Sequence, residues 1–297
     1  KLRIHSGTHY HPFHSEEGRI DQLRWFDHWL KGIDTGIMDE PPVKLEIRTG
    51  GSLGKPYAFR FEDDWPIPRT QWTRFHLKIE RAGSEDPKAV EGTLTTTPPA
   101  QTAKASYMQS APSRPGKMPR GVSFETPPMT GDTEITGPIV LNVWVSSTGE
   151  DTDIFATLRN IDPAGNDVPE MGQQGEPLSC VTKGWLRASH RKLDPAKSLP
   201  YRPYHAHDER WWLKPGEIVE CQVEICPPAW CSGKATSCVS TSRPRTASAR
   251  STSRTFTLTT TPGPRPRFTR EETSSRICCF RSSRKRNSDE IRVTRYG

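Results

Sequence analysis

The sequence contains no run of about 18 consecutive apolar residues, which a helix needs in order to cross a membrane. It has seven cysteines, but no two of them form a Cys-x-x-Cys pair, and the odd number does not suit a set of disulfides. These absences argue against a membrane partner, a disulfide framework and a cysteine zinc site. We therefore expect reduced thiols and a cytoplasmic protein.

Tryptophan is absent from residues 231–297, although the chain has nine. This segment is rich in Ser, Thr and Arg, and it holds 15 of the 42 Lys and Arg but only 4 of the 35 Asp and Glu. The net charge of +7 therefore comes from this segment alone. Because it has no aromatic platforms and no zinc-finger or helix-turn-helix pattern, we expect no nucleic-acid partner, despite the basic pI.

A helix is predicted between Ser15 and Gly32. Ser15 is a favourable N-cap, Glu16 and Glu17 suit the positive end of the helix dipole, and Gly32 suits the C-cap. Apolar residues recur at helical spacing and form a stripe that we expect to pack in the core. The stripe consists of Ile20, Leu23, Phe26 and Leu30, widened by Trp25 and Trp29.

From residue 43 onwards the hydrophobic period changes to two, which is typical of half-buried strands. The alternation is clear at residues 43–47 and again at 139–145, 154–160 and 219–225. Residues 88–121 are rich in Thr, Pro, Ala and Ser and predict a long surface excursion. The pattern as a whole predicts a mainly β chain with an antiparallel domain of the sandwich or jelly-roll type.

Two short motifs resemble sites but have simpler interpretations. Residues 50–54 match G-x-S-x-G around Ser52, but a strand-like segment led by Pro56 follows where a nucleophile elbow needs a helix. We interpret them as a turn between strands. Asp151 and Asp153 resemble the opening of a calcium loop, but apolar residues replace the oxygen ligands that should follow, so we predict a strand entry.

Four histidines precede the helix: His5, His9, His11 and His14. Histidines at such spacing could bind a metal, but no carboxylate or thiol motif accompanies them. We therefore predict no metal and no cofactor.

The order of elements around these histidines resembles the CocE/NonD hydrolases, the relatives of cocaine esterase and the Xaa-Pro dipeptidyl-peptidases. The resemblance rests on Leu2 to His9, on the helix that ends Phe-Asp-His-Trp-Leu-Lys-Gly at residues 26–32, and on Pro-Pro-Val at 41–43. In that family the last strand of an α/β-hydrolase domain leads to the histidine of a Ser-Asp-His triad. By position this is His9, although His5-Ser6-Gly7 stands where Gly-Pro-Trp is usual, and His11 is the alternative.

The resemblance covers residues 1–230, with further matching pieces at 63–66, 151–155, 184–190 and 213–217. It implies that residues 1–40 are the end of an α/β-hydrolase domain and that 41–230 form an incomplete, galactose-binding-like jelly roll. The implied function is ester or amide hydrolysis, on a small ester, amide or peptide substrate, with His9 as general base. The alternative is a non-catalytic β-sandwich module that binds carbohydrate or protein.

The implied nucleophile and acid would lie upstream of Lys1, and the chain begins without Met or a signal peptide. We therefore expect a fragment that is inactive by itself.

A different origin is predicted for residues 231–297. When each codon is read from its third base, residues 230–241 can encode VFRKGHKLRLD, 256–263 can encode HADYNTG and 276–284 can encode YLLLPVIP. Three family-like segments in one shifted frame predict that 231–297 is a frameshift product and is disordered.

Overall fold

The computed structural model describes residues 1–49, 58–80, 92–109, 121–172, 177–178, 180–232, 237–242, 254–260 and 276–281. Over these residues the chain is mainly β, as predicted, with two α-helices and one 3-10 helix. The helices are α1 (His11–His14), α2 (Glu16–Lys31) and the 3-10 helix Ala188–His190. The strands up to β9 are β1 (Leu2–Ile4), β2 (Val43–Ile47), β3 (Ala58–Glu62), β4 (Trp72–Arg74), β5 (His76–Ile79), β6 (Gly92–Thr95), β7 (Ala103–Gln109), β8 (Val122–Glu125) and β9 (Thr133–Thr136).

The remaining strands follow in chain order. They are β10 (Ile139–Ser147), β11 (Asp153–Ile161), β12 (Glu170–Met171), β13 (Pro177–Leu178), β14 (Thr182–Arg187), β15 (Val219–Ile225), β16 (Ala229–Ser232), β17 (Ser237–Ser242), β18 (Arg254–Thr260) and β19 (Arg276–Arg281).

A small sheet is formed by β1, β2 and β3. Strand β1 is parallel to β2, with Leu2 opposite Val43, and β3 is antiparallel to β2. Because α1 and α2 lie between β1 and β2 in the chain, these elements form a β-α-β unit. The alternation in β2 buries Val43, Leu45 and Ile47, as the sequence predicted.

Most of the other strands belong to one large sheet, in the order β16-β9-β19-β10-β15-β14-β11-β17-β8-β6-β5. The predicted strands at 139–145, 154–160 and 219–225 are confirmed as parts of β10, β11 and β15. Strands β10 and β15 pair antiparallel from Ile139–Ile225 to Val145–Val219. Their inward residues form the main core together with those of β8, β11 and β14.

The prediction that residues 88–121 form one surface excursion is wrong in part, because β6 and β7 lie within this range. Leu94 is 1% exposed and Ala105 is fully buried. Strands this rich in Thr and Ala have low hydrophobicity, but their small and β-branched side chains fit a pleated sheet. Composition alone therefore underestimates the tendency of these segments to form strands.

Three strands lie in the segment for which the sequence predicted disorder. Strand β17 pairs with β11 and β8, β18 pairs with β10 and β7, and β19 pairs with β9, β10 and β4. Their positions overlap the three segments that the shifted reading frame makes family-like. The backbone hydrogen bonds of these strands come from the pairing itself and do not depend on side-chain hydrophobicity.

Several contacts join the small sheet to the large one. The guanidinium of Arg60 in β3 donates to both carboxylate oxygens of Glu134 in β9, at 2.7 and 2.6 Å. The backbone N–H of Arg48 donates to the carbonyl oxygen of Ala229 at 2.9 Å, and Trp230, which is fully buried, follows directly. The small sheet is thus held against the β-domain by an ion pair and by β16.

Candidate functional site

The loop that carries His9 leaves the carboxyl end of β1, the end of a parallel strand at which α/β proteins place chemically active groups. Ser6, at 5% exposure, fixes the start of this loop. Its backbone N–H and its hydroxyl both donate to Glu46 Oε2 of β2, at 2.7 and 2.8 Å. Gly7 follows with a φ of 88°, a left-handed conformation that favours glycine. The loop therefore turns sharply and is held by β2.

His9 lies two residues beyond this turn and is exposed. Its imidazole is edge-on to the Tyr10 ring, with 4.8 Å between the ring centroids. The alternative residue, His11, begins α1 and is also exposed, and its backbone N–H donates to Thr8 Oγ1 at 3.3 Å. Both imidazoles are therefore open to groups from outside the small sheet.

The other two histidines of the group, His5 and His14, make different contacts. His5 Nδ1 lies 3.3 Å from the carbonyl oxygen of Ser6, and His14 ends α1 beside the Phe13 ring. Within the described ranges, no three side chains of His, Cys, Asp or Glu are placed to hold a metal ion together.

Both predicted ends of helix α2 are confirmed. Ser15 Oγ accepts a hydrogen bond from the Gly18 N–H at 3.1 Å, and Gly32 ends the helix in a left-handed conformation with a φ of 70°. The polar face of the helix is turned towards the small sheet. Arg24 lies 2.6 Å from Glu40, and Asp21 lies 3.6 Å from Arg3 of β1.

The apolar stripe of α2 is consequently turned away from the sheet, and the prediction that it packs in the core is wrong. Ile20, Leu23, Phe26 and Leu30 are 48%, 57%, 53% and 77% exposed. The ion pairs lie on the side of the helix that faces the small sheet, and the stripe lies on the other side. An exposed apolar surface of this kind marks an interaction site.

We expect Leu30→Ser to change the free energy of unfolding by less than about 0.5 kcal/mol, because Leu30 already lies mostly in water. Leu45→Ala is the matched control, since Leu45 is fully buried and its truncation should cost about 2–5 kcal/mol. Urea unfolding followed by circular dichroism measures both. Equal losses in the two variants would contradict the exposed position of the stripe.

The carboxylates of the calcium-like motif bind donors of the protein itself. Asp151 accepts from the backbone N–H and the hydroxyl of Ser189, at 2.9 and 2.8 Å, and Asp153 accepts from Arg187 at 2.7 Å. Asp153 is the first residue of β11, so the predicted strand entry is confirmed. Residues 50–54, with Ser52, lie outside the described residues.

Cys180, Cys221 and Cys226 are free thiols. Burial raises the pKa of Cys221 to about 12, with smaller contributions from the neighbouring charges of Arg191, which opposes the shift, and of Glu220 and Asp151. This thiol therefore stays protonated at neutral pH and is a poor nucleophile.

In the described part of the chain, no helix combines the length and the apolar character that crossing a membrane requires.

The comparisons with known proteins agree on one group. Residues 35–230 match the family model of the X-Pro dipeptidyl-peptidase C-terminal non-catalytic domain. A Mycobacterium bovis protein, named as a serine esterase, is 28% identical over 238 residues, which are 74% of this chain and 34% of that protein. The cocaine esterase of a Rhodococcus species is 25% identical over 175 residues, 52% of this chain and 29% of the esterase.

Among solved structures, a CocE/NonD family hydrolase from Staphylococcus aureus superposes with a TM-score of 0.76 at 23% identity. The match covers 94% of this chain and 48% of the hydrolase. The chain spans about a third of the length of the curated relatives that it matches. As the motifs around His9 predicted, the chain belongs to the family defined by the X-Pro dipeptidyl-peptidase C-terminal non-catalytic domain.

Proposed function

We propose that this chain supplies the C-terminal part of a serine hydrolase that cleaves ester or amide bonds, and that it is inactive without the catalytic part. The observation that carries this proposal is the outward-facing stripe of α2, next to the loop of His9. A catalytic domain placed against this face would bury the stripe. Full burial of such a side chain stabilises by about 1.5–3 kcal/mol, of which roughly half remains available at these exposures.

The proposal also divides the chain into two domains. Residues 1–40 would be the last strand and helix of an α/β-hydrolase domain, and 41–230 would be the jelly roll. The parallel pairing of β1 with β2 across α2 supports an α/β unit at this end of the chain, although β2 and β3 of the same sheet lie beyond residue 40. The long antiparallel pairs of β10, β11, β14 and β15 support the jelly roll.

His9 is the proposed general base of a Ser-His-Asp triad, whose serine and acid would come from the catalytic part. A neutral imidazole takes the proton of the attacking serine and returns it to the leaving group. Glu46 would act as a positioning residue, because its carboxylate holds Ser6 and thereby the loop of His9. The substrate would be a small ester, amide or peptide, and a cytoplasmic location with free thiols is part of this proposal.

The proposal is tested with the purified chain and with the chain joined at its N-terminus to a catalytic domain of the CocE/NonD type. Substrates are p-nitrophenyl esters and Xaa-Pro-nitroanilides. We expect no hydrolysis by the chain alone above its His9→Ala control, and turnover by the joined protein. Turnover by the chain alone that disappears in Ser52→Ala would move the active site to residues 50–54. A joined protein that folds but shows no turnover would favour the binding module.

We further propose that residues 231–297 arose by a frameshift. The match to the family model ends at Trp230, the residue after which the composition changes. In addition, β17, β18 and β19 overlap the segments that the shifted frame makes strand-like. Independent sequencing of the gene around codon 230 tests this proposal, and reads that confirm the present frame would refute it.

A further inference from the structure

Two histidines that flank residues 191–206 share a hydrogen bond. Nδ1 of His190 lies 3.0 Å from Nδ1 of His207, with 5.1 Å between the ring centroids. At this distance one ring nitrogen donates and the other accepts. The contact therefore requires that at least one of the two Nδ1 atoms carries no proton.

The pair closes the base of a hairpin formed by residues 191–206. His190 directly precedes this hairpin and His207 directly follows it. Within it, the Ala206 N–H donates to the Lys192 carbonyl at 3.0 Å and the Asp194 N–H donates to the Tyr204 carbonyl at 2.8 Å. At the other end of the hairpin, Tyr201 stacks on Trp72 of β4, with ring centroids 5.1 Å apart.

The backbone at His207 is strained, with a φ of 56°. Among the described residues it is the only one other than glycine with a positive φ. Side chains with a Cβ rarely adopt this region, and such strain persists only where the surrounding contacts hold it. The bond to His190 is such a contact, so its loss would also release the strain.

A third histidine makes the closed hairpin sensitive to protons. The His205 ring lies 6.0 Å from that of His207 and donates to the backbone carbonyl of Gln222 in β15, while its Nε2 is buried without a partner among the described residues. Burial, and then the charges of His207 and His190, lower the pKa of His205 from 6.5, against a smaller raising effect of the bond to Gln222. Protonation below pH 6.5 is thus easier in the open hairpin, so acid favours opening.

Most of the charged side chains around these histidines form ion pairs or hydrogen bonds with other groups. Lys192 binds Asp208 and Glu209 at 3.2 and 2.9 Å, and Arg191 donates to the backbone carbonyls of Ala188 and Trp211. On β15, burial raises the pKa of Glu224, and the charge of Arg202 opposes this. We call His190, His205 and His207 the histidine cluster. No three ligating side chains among the described residues are placed so that they could hold a metal ion together, so the cluster does not have the form of a metal site.

We propose that His190 and His207 form an acid-sensitive latch that holds the 191–206 hairpin closed while they share a hydrogen bond and releases it when both rings are protonated. Two imidazolium rings present only donors to each other, so the bond cannot form. The hairpin then separates from β15, and Tyr201 leaves Trp72. The latch is independent of the proposed hydrolase function and can be tested on this chain alone.

Amide hydrogen exchange at about pH 7.5 and about pH 5, corrected for the intrinsic pH dependence, tests the latch. In the unmodified chain we expect the protection of the Asp194 and Ala206 amides to fall about 10-fold or more at the lower pH, with that of Val143 in β10 unchanged. In His207→Asn the fall should be smaller, because Asn tolerates the left-handed region and does not titrate, which leaves only the response of the buried His205. His76→Asn is the matched control: burial also lowers the pKa of His76, which lies outside the cluster, so the fall should remain.

Equal protection at both pH values in the unmodified chain, or an undiminished fall in His207→Asn, would overturn the latch. If the Val143 amide shows that His207→Asn does not fold, His190→Asn is measured in the same way and must reduce the fall. The measurement is repeated in EDTA. A response that disappears there would assign the cluster to a metal and also refute the proposal.

Discussion

Replacing His9 with alanine should lower kcat by about 10³-fold or more in the protein that joins this chain to a catalytic domain. The loss is large because the serine hydroxyl would have no group to accept its proton. KM should change little, since the general base acts in the chemical step rather than in substrate binding. Steady-state hydrolysis of p-nitrophenyl esters measures both constants.

His11→Ala is the matched control because His11 is also exposed and lies only two residues further along the chain. It should lower kcat less than His9→Ala, and the reverse ranking would move the catalytic role to His11. Glu46→Gln should cause an intermediate loss in kcat, because a neutral amide oxygen accepts the two hydrogen bonds of Ser6 more weakly than the carboxylate oxygen Oε2 does. Thermal unfolding of each variant separates loss of the base from loss of the fold.

Trp230→Ala should lower the free energy of unfolding by about 3–5 kcal/mol. The side chain is fully buried in the main core, β16 pairs it with Ile135 of β9, and Arg48 lies above its ring at 5.7 Å. Truncation would leave a cavity where the small sheet meets the large one. Urea unfolding, with the midpoint and slope fitted separately, measures the loss.

Two further variants test whether the loss in Trp230→Ala comes from the burial of this side chain. Trp185→Ala removes a tryptophan that is 60% exposed on β14 and should cost much less. Trp230→Phe should also cost less than Trp230→Ala, since it keeps most of the ring volume and the buried Nε1 that it removes has no partner among the described residues. A loss below about 1 kcal/mol for Trp230→Ala would contradict its place in the core.

The local sequence was sufficient to predict the elements that depend on residues close together in the chain. Ser15 and Gly32 set the ends of α2 through their own hydrogen bonds and backbone conformation, and the alternation in β2 gave its buried face. The mainly β class followed from the repeated period of two. Strands β6 and β7 were missed because Thr and Ala carry little hydrophobic signal, although the sheet accepts them.

The sequence by itself determined the helix, the main strands and, through the motifs around His9, the family. The tertiary structure alone decided the orientation of α2, because the partners of Asp21 and Arg24 on the small-sheet side, Arg3 and Glu40, are distant in the chain. It also decided that Glu46 meets Ser6 and that His190 meets His207. These partners are 40 and 17 residues apart in the chain, so no local pattern encodes their contact, and only the pairing of strands and the closing of a hairpin bring them together.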